Sequence, residues 1–93
     1  MIVSRLRVQF LLPGCNSLKE KRHVLNSLKA RLRNRFNVSV CEVDYQDKWQ
    51  RSEFGLSSVA TSRRGAEKIA QQIISFLERE QRISLIETDR EFL

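Results

Sequence analysis

Segments of strand-like and helix-like periodicity alternate along this chain, and their order restricts the fold more than any single motif does. Ile2–Leu12 puts Leu6, Val8 and Phe10 on one face and Arg5, Arg7 and Gln9 on the other, the pattern of a half-buried strand. Asn16–Phe36 repeats Leu18, Leu25, Leu28, Leu32 and Phe36 at helical spacing. Val38–Tyr45 is rich in β-branched residues and reads as a second strand. Its inward parity stays open, because Val38 and Val40 alternate one way while Cys41 and Val43 straddle both faces. Gln46–Arg51 is a polar connection around one tryptophan. Glu53–Thr61, rich in small residues, suits a central strand. Ser62 can cap a second helix through about Arg82, with Ala66, Ile69, Ala70, Ile73 and Leu77 buried. Ile83–Phe92 closes the chain as a fourth strand, with Glu87, Asp89 and Glu91 at alternate positions.

The order is therefore βαββαβ. Two right-handed β-α-β units in tandem give the split arrangement of ferredoxin-like α+β domains. The expected sheet has four antiparallel strands in the order 4-1-3-2, with both helices on one face. With 93 residues, the chain suffices for a single such domain, 1–93, with one core.

Charge is concentrated in the first helix. Lys19, Lys21, Arg22, Lys29, Arg31, Arg33 and Arg35 stand there against Glu20 alone, which accounts for the whole formal excess of +6. Pro13-Gly14 breaks the chain before it, and Ser17-Leu-Lys-Glu20 fits a capping box. Asn37 follows the last apolar residue as a C-terminal stop. At about 100° per residue, Lys19, Arg22, Asn26, Lys29 and Arg33 form one narrow strip beside the apolar stripe. Arg31 and Arg35 lie on the other flank. Lys21 projects into the apolar sector, where it either snorkels or meets a carboxylate, Asp44 or Asp47 being the expected partners.

Other classes of function find little support. No uncharged run, Val8–Asn16 included, is long enough to span a bilayer, and Arg5 and Arg7 interrupt any signal-peptide pattern. A cytoplasmic protein with no membrane attachment is expected. Cys15 and Cys41 lack C-x-x-C spacing and read as reduced thiols, and with one histidine in the chain no metal site is expected. No Ser/His/Asp or Cys/His constellation and no P-loop occurs, so catalytic residues, cofactors and enzymatic activity are not expected.

NSLKEKR, FNVSVCEVDYQDKWQR and the small-residue strand after them resemble the YlxP-like family of small bacterial proteins, a catalogued domain of unknown function. The resemblance covers most of the chain, and S-L-K-E-K-R combined with D-x-Q-D-x-W-Q is its most specific part. It implies a ferredoxin-like fold and, through members encoded beside translation genes, a link to ribosomes. It implies no catalytic residue. Tyr45 stands where the family commonly has a histidine, so no ring-nitrogen role carries over.

The basic strip is the leading candidate site. Lys19, Arg22, Lys29 and Arg33 run along roughly 20 Å of helix, a spacing suited to nucleic-acid phosphates. Lys21 and Trp49 are the supporting contacts, although a lone tryptophan in a connection more often folds back as a lid over the core. A specific small anion at the helix start, Gly14–Arg22, is a lesser candidate, and His23 reads as merely solvated. The open sheet face lacks the aromatics of an RNA-reading sheet. Its Arg5 and Arg7 are expected to pair with Glu87, Asp89 or Glu91 of the fourth strand. The sequence thus points to a non-enzymatic RNA- or ribosome-associated protein. Its alternative is a structural or regulatory homo-oligomer, a homodimer joined through the sheet face or an edge, whose basic helix is solvated.

Overall fold

The computed structural model describes residues 1–93. The elements are β1 (Ile2–Leu11), α1 (Leu18–Arg35), β2 (Ser39–Asp44), β3 (Arg51–Ala60), α2 (Arg63–Glu78) and β4 (Ser84–Phe92). The strands form one antiparallel sheet in the order β2-β3-β1-β4, which is the expected 4-1-3-2 order read from the other edge. The fold is ferredoxin-like. Leu6, Val8 and Phe10 of β1 and Phe54 and Leu56 of β3 alternate into a core closed by Leu25, Leu28 and Leu32 of α1 and Ile73 and Leu77 of α2. Both helices therefore cover one face. Phe10 and Phe54 meet edge-to-face at its centre, with ring centroids 5.0 Å apart.

Ser17 caps α1 by accepting the Glu20 N–H at 3.1 Å, while Glu20 Oε2 accepts the Asn16 N–H at 2.6 Å. The other end differs from expectation. Phe36 already leaves the helix in an extended conformation, and Asn37 adopts no left-handed cap. The reason is packing, since extension turns the Phe36 ring onto Phe76 of α2, 6.1 Å away.

The second helix stops at Glu78, short of Arg82. Glu80 ends it by folding back. Its carboxylate accepts hydrogen bonds from the Arg82 N–H (3.0 Å), Arg82 Nε (2.9 Å) and Arg31 NH1 of α1 (2.8 Å). The Arg82 hydrogen bond above all holds the carboxyl down at about 2. A depressed carboxyl adds stability above its unfolded value near 4.5, and that stability is lost as pH falls toward 2. With both arginines solvated, we expect Glu80→Gln to cost about 1–2 kcal/mol at pH 7. The difference from the parent should shrink through pH 4.5 to 2 in urea melts. A cost that does not change with pH would show that the carboxylate charge contributes nothing.

Two irregularities matter for the site. The β2–β3 register shifts between Glu42 and Asp44, leaving Val43 as the extra residue of a β-bulge. The regular register before the bulge, Val40 opposite Leu56 and Glu42 opposite Phe54, settles the open parity of the second strand, with Val40 and Glu42 turned toward α1. The β1–β4 register shifts likewise after Gln9. At the sheet's far end the first and last segments pair, the Val3 N–H donating to the Leu93 carbonyl at 2.9 Å and the Leu93 N–H to the Val3 carbonyl at 2.8 Å.

Candidate nucleic-acid interface

The seven cations of α1 divide by what they touch. Arg31 pairs with Glu80 and lies 5.0 Å from the centroid of Phe76. Arg35 packs over the rings of Phe36 and Phe76, at 5.9 and 5.8 Å. These two cations of the far flank hold α1 against α2. Lys19, Arg22, Lys29 and Arg33 take part in none of the ion pairs. Lys19, Arg22 and Arg33 are exposed and Lys29 is half-buried. Arg33 spends one N–H on the Val40 carbonyl of β2, at 3.0 Å, which fixes the guanidinium beside the sheet edge without neutralising it. The strip is a row of uncompensated positive charge.

Lys21 does not belong to that surface. It is 1 % exposed. Its ammonium donates to the carbonyls of Tyr45 (2.6 Å) and Lys48 (2.5 Å) and pairs with Glu42 Oε2 at 2.9 Å. Three protons meet three acceptors, so none is left for a phosphate. The partner is Glu42, and neither Asp44 nor Asp47. Glu42 faces inward by regular alternation with Val40, opposite the buried Phe54, and Ser52 Oγ also donates to its Oε2 at 2.6 Å; the bulge after it sets Asp44 opposite Glu53, out of step with that inward face.

That clasp shapes the β2–β3 connection. Lys21 holds it from beneath, Gln50 Nε2 donates to the Cys15 carbonyl at 3.0 Å, and the Leu12 N–H donates to the Gln50 carbonyl at 2.9 Å. Tyr45 sits in the left-handed region, φ 64°, with its N–H on Asp44 Oδ1 at 2.7 Å. So anchored, the connection cannot fold over the core. Trp49 is therefore no lid, being 53 % exposed. It borders a cleft of about 580 Å³ with Leu11, Tyr45, Asp47, Lys48, Gln50 and Arg51. The Arg51 guanidinium lies over the Tyr45 ring, 4.4 Å from its centroid.

The start of α1 offers less to a free anion than the sequence suggests, because Glu20 already caps it with its own carboxylate. A cleft of about 570 Å³ beside it holds Cys15, Lys19, Glu20, His23 and Arg82. His23 is exposed, and burial pushes the Cys15 thiol up, away from a reactive thiolate. Cys15 and Cys41 are both free thiols.

The open sheet face is zipped by its own charges. Arg5 pairs with Glu91 as expected, at 3.2 Å. Arg7 instead takes Glu53, its Nε at 3.1 Å from Oε2 and its NH2 at 3.3 Å from Oε1. Gln9 Nε2 adds a bond to Oε1 at 2.8 Å. Gln9 and Glu53 are direct partners across β1 and β3, so the sheet register delivers this carboxylate to Arg7, with Asp89 acting on it only as a neighbouring charge. The hydrogen bond to Glu53 pushes Arg7 up from its ordinary value.

Comparison with known proteins places the chain among relatives. A family described as "Protein of unknown function (DUF503)" matches residues 3–90. The chain belongs to this family. It is also 48 % identical over 62 residues, 67 % of either chain, to the "Uncharacterized protein YlxP" of Bacillus subtilis (strain 168). The two stretches that carry the likeness in sequence, Ser17–Arg22 and Asp44–Gln50, are the two that Lys21 joins. Sequence reasoning missed Glu42 and Ser52 in that joint, and Arg51 beside Trp49. An acidic residue four positions before the turn was the available signal for the first. Nothing local marked the others.

Proposed function

We propose that this family member is a cytoplasmic RNA- or ribosome-associated binding protein, to which no reaction is assigned, and that it grips phosphates along α1. One observation carries the reading. Lys19, Arg22, Lys29 and Arg33 form a strip without a single carboxylate partner, while every other cation of the helix is held by a carboxylate or an aromatic ring of the fold. A strip kept free of acids releases counterions when it meets a polyanion. A second copy of the chain over the open sheet face is less well supported, since that face carries the Arg5–Glu91 and Arg7–Glu53 pairs and would have to be desolvated.

Salt titration of ribosomal RNA fragments tests it. Four cations on four phosphates of a single strand predict a slope of log affinity against log salt of about −3. Replacing any one of the four with alanine should flatten the slope by roughly 0.7, whatever the RNA sequence. Arg5, Arg7 and Arg79 should matter much less. Affinity that does not respond to salt, or no binding at low salt, rules the reading out.

A further inference from the structure

The connection between β2 and β3 presents an aromatic surface that phosphate binding does not use. Trp49 is the only tryptophan in the chain and is 53 % exposed. Exposing so large an apolar side chain forgoes about 2 kcal/mol of burial, and nothing in the core needs it there. Tyr45 and Arg51 stack beside it, and the Arg51 guanidinium joins no ion pair; its NH2 donates to Gln9 Oε1 at 2.9 Å. The backbone is held in place at a cost. A tyrosine in the left-handed region is disfavoured by about 1 kcal/mol or more. It persists because Lys21 and Asp44 hold the Tyr45 carbonyl and N–H. The surface is thus ordered before any ligand arrives, which lowers the entropic cost of binding.

The geometry points to a nucleobase site at this cleft, one that stacks an unpaired base of single-stranded RNA on Trp49, with Arg51 and Lys48 flanking its phosphate. This deepens the phosphate reading and rests on it. Single-stranded ligands are favoured because a base inside a duplex keeps both its π-faces covered by its neighbours, whereas an unpaired base can leave the stack. Position supports the pairing of the two features. The Lys21 clasp fastens the connection to the first turns of α1, the end of the helix where Lys19 and Arg22 begin the cationic strip. A strand held on the strip by its phosphates would pass around the connection to enter the cleft, which opens beside Leu11 and Arg51. Recognition of this kind tolerates any base, since every base has a π-face.

Three ligands of equal phosphate count separate the possibilities: a uridine 12-mer, the same oligomer with abasic sugars, and a duplex. Each is titrated against the intact protein while anisotropy and Trp49 fluorescence are recorded. Saturation with the 12-mer should quench the fluorescence. The abasic strand should bind about tenfold more weakly, with the same salt slope and no quenching, and the duplex should not quench. Trp49→Ala should erase the tenfold preference, and Trp49→Phe should retain part of it. The exposed position keeps either variant folded, and circular dichroism checks this. Unchanged fluorescence at saturation, or equal affinity for the 12-mer and its abasic form, overturns the base site. If salt-dependent binding persists in that case, the phosphate reading stands. Binding to none of the three removes both.

Discussion

Replacing Lys21 with methionine should lower the unfolding free energy by about 3–5 kcal/mol, the cost of breaking a buried ion pair by removing one member. The side chain is 1 % exposed and answers three acceptors at once. Methionine fills the space but strands the Glu42 carboxylate with Ser52 alone, leaves the Lys48 carbonyl without a donor and leaves the Tyr45 carbonyl with the Lys48 N–H only. Glu42→Gln should cost less, because two carbonyls still hold the ammonium. Asp44→Asn and Asp47→Asn should stay within about 0.5 kcal/mol, since neither takes part in an ion pair and an asparagine at position 44 keeps its oxygen for the Tyr45 N–H. Domains of this size are stable by only about 5–15 kcal/mol, so the lysine variant should melt visibly earlier in urea. A midpoint unchanged by Lys21→Met would mean that the clasp holds nothing together.

The largest functional effect should come from emptying the strip. With four phosphates neutralised, the counterion contribution at 0.1 M salt is about 0.7 × 4 decades, so a variant carrying Lys19→Ala, Arg22→Ala, Lys29→Ala and Arg33→Ala should lose roughly three orders of magnitude in RNA affinity. Its salt slope should fall near zero. Arg33 needs a control, because its removal also frees the Val40 carbonyl at a cost of about 1 kcal/mol. Arg33→Lys keeps the charge and separates the two effects. The other three make no hydrogen bond or ion pair within the protein, so a melt of the triple variant should overlay the parent. Retained affinity in a folded quadruple variant would mean that RNA binds elsewhere.

The sequence disclosed the architecture because its patterns are local. Ser17 and Glu20 mark one helix start and Ser62 the other, and the Leu6-Val8-Phe10 alternation marks the face of β1. That Lys19, Arg22, Lys29 and Arg33 share one strip and Arg31 and Arg35 the other flank follows from helical geometry alone, whereas the hold of that flank on Glu80 and Phe76 does not. What escaped depended on contacts between distant segments. A bulge at Val43 sets Asp44 out of step with the inward face that Glu42 keeps, and no residue type announces a bulge. The Arg7–Glu53 pair follows from the β1–β3 register, which the sequence does not state. Sequence alone leaves Trp49 open between a supporting contact and a lid over the core, the commoner fate of a lone tryptophan. Its exposure comes from five hydrogen bonds made by Lys21 (two), Gln50, Leu12 and Asp44, a cooperative arrangement with no one-dimensional trace.

The centre of the sheet also sets the timetable of folding during synthesis. β1 lies between β3 and β4, and its first pairing partner begins at Arg51, with Ile2 waiting for Ala60. β1 thus remains without a neighbour until α1, β2 and β3 have left the ribosome, and its other edge waits for β4. Throughout that interval Leu6, Val8 and Phe10 have only the apolar face of α1 to lie against. Closing so long a loop before any strand pair forms should make folding slow for a chain this short, in milliseconds or longer rather than microseconds. The nascent chain is at its most aggregation-prone just before β3 emerges.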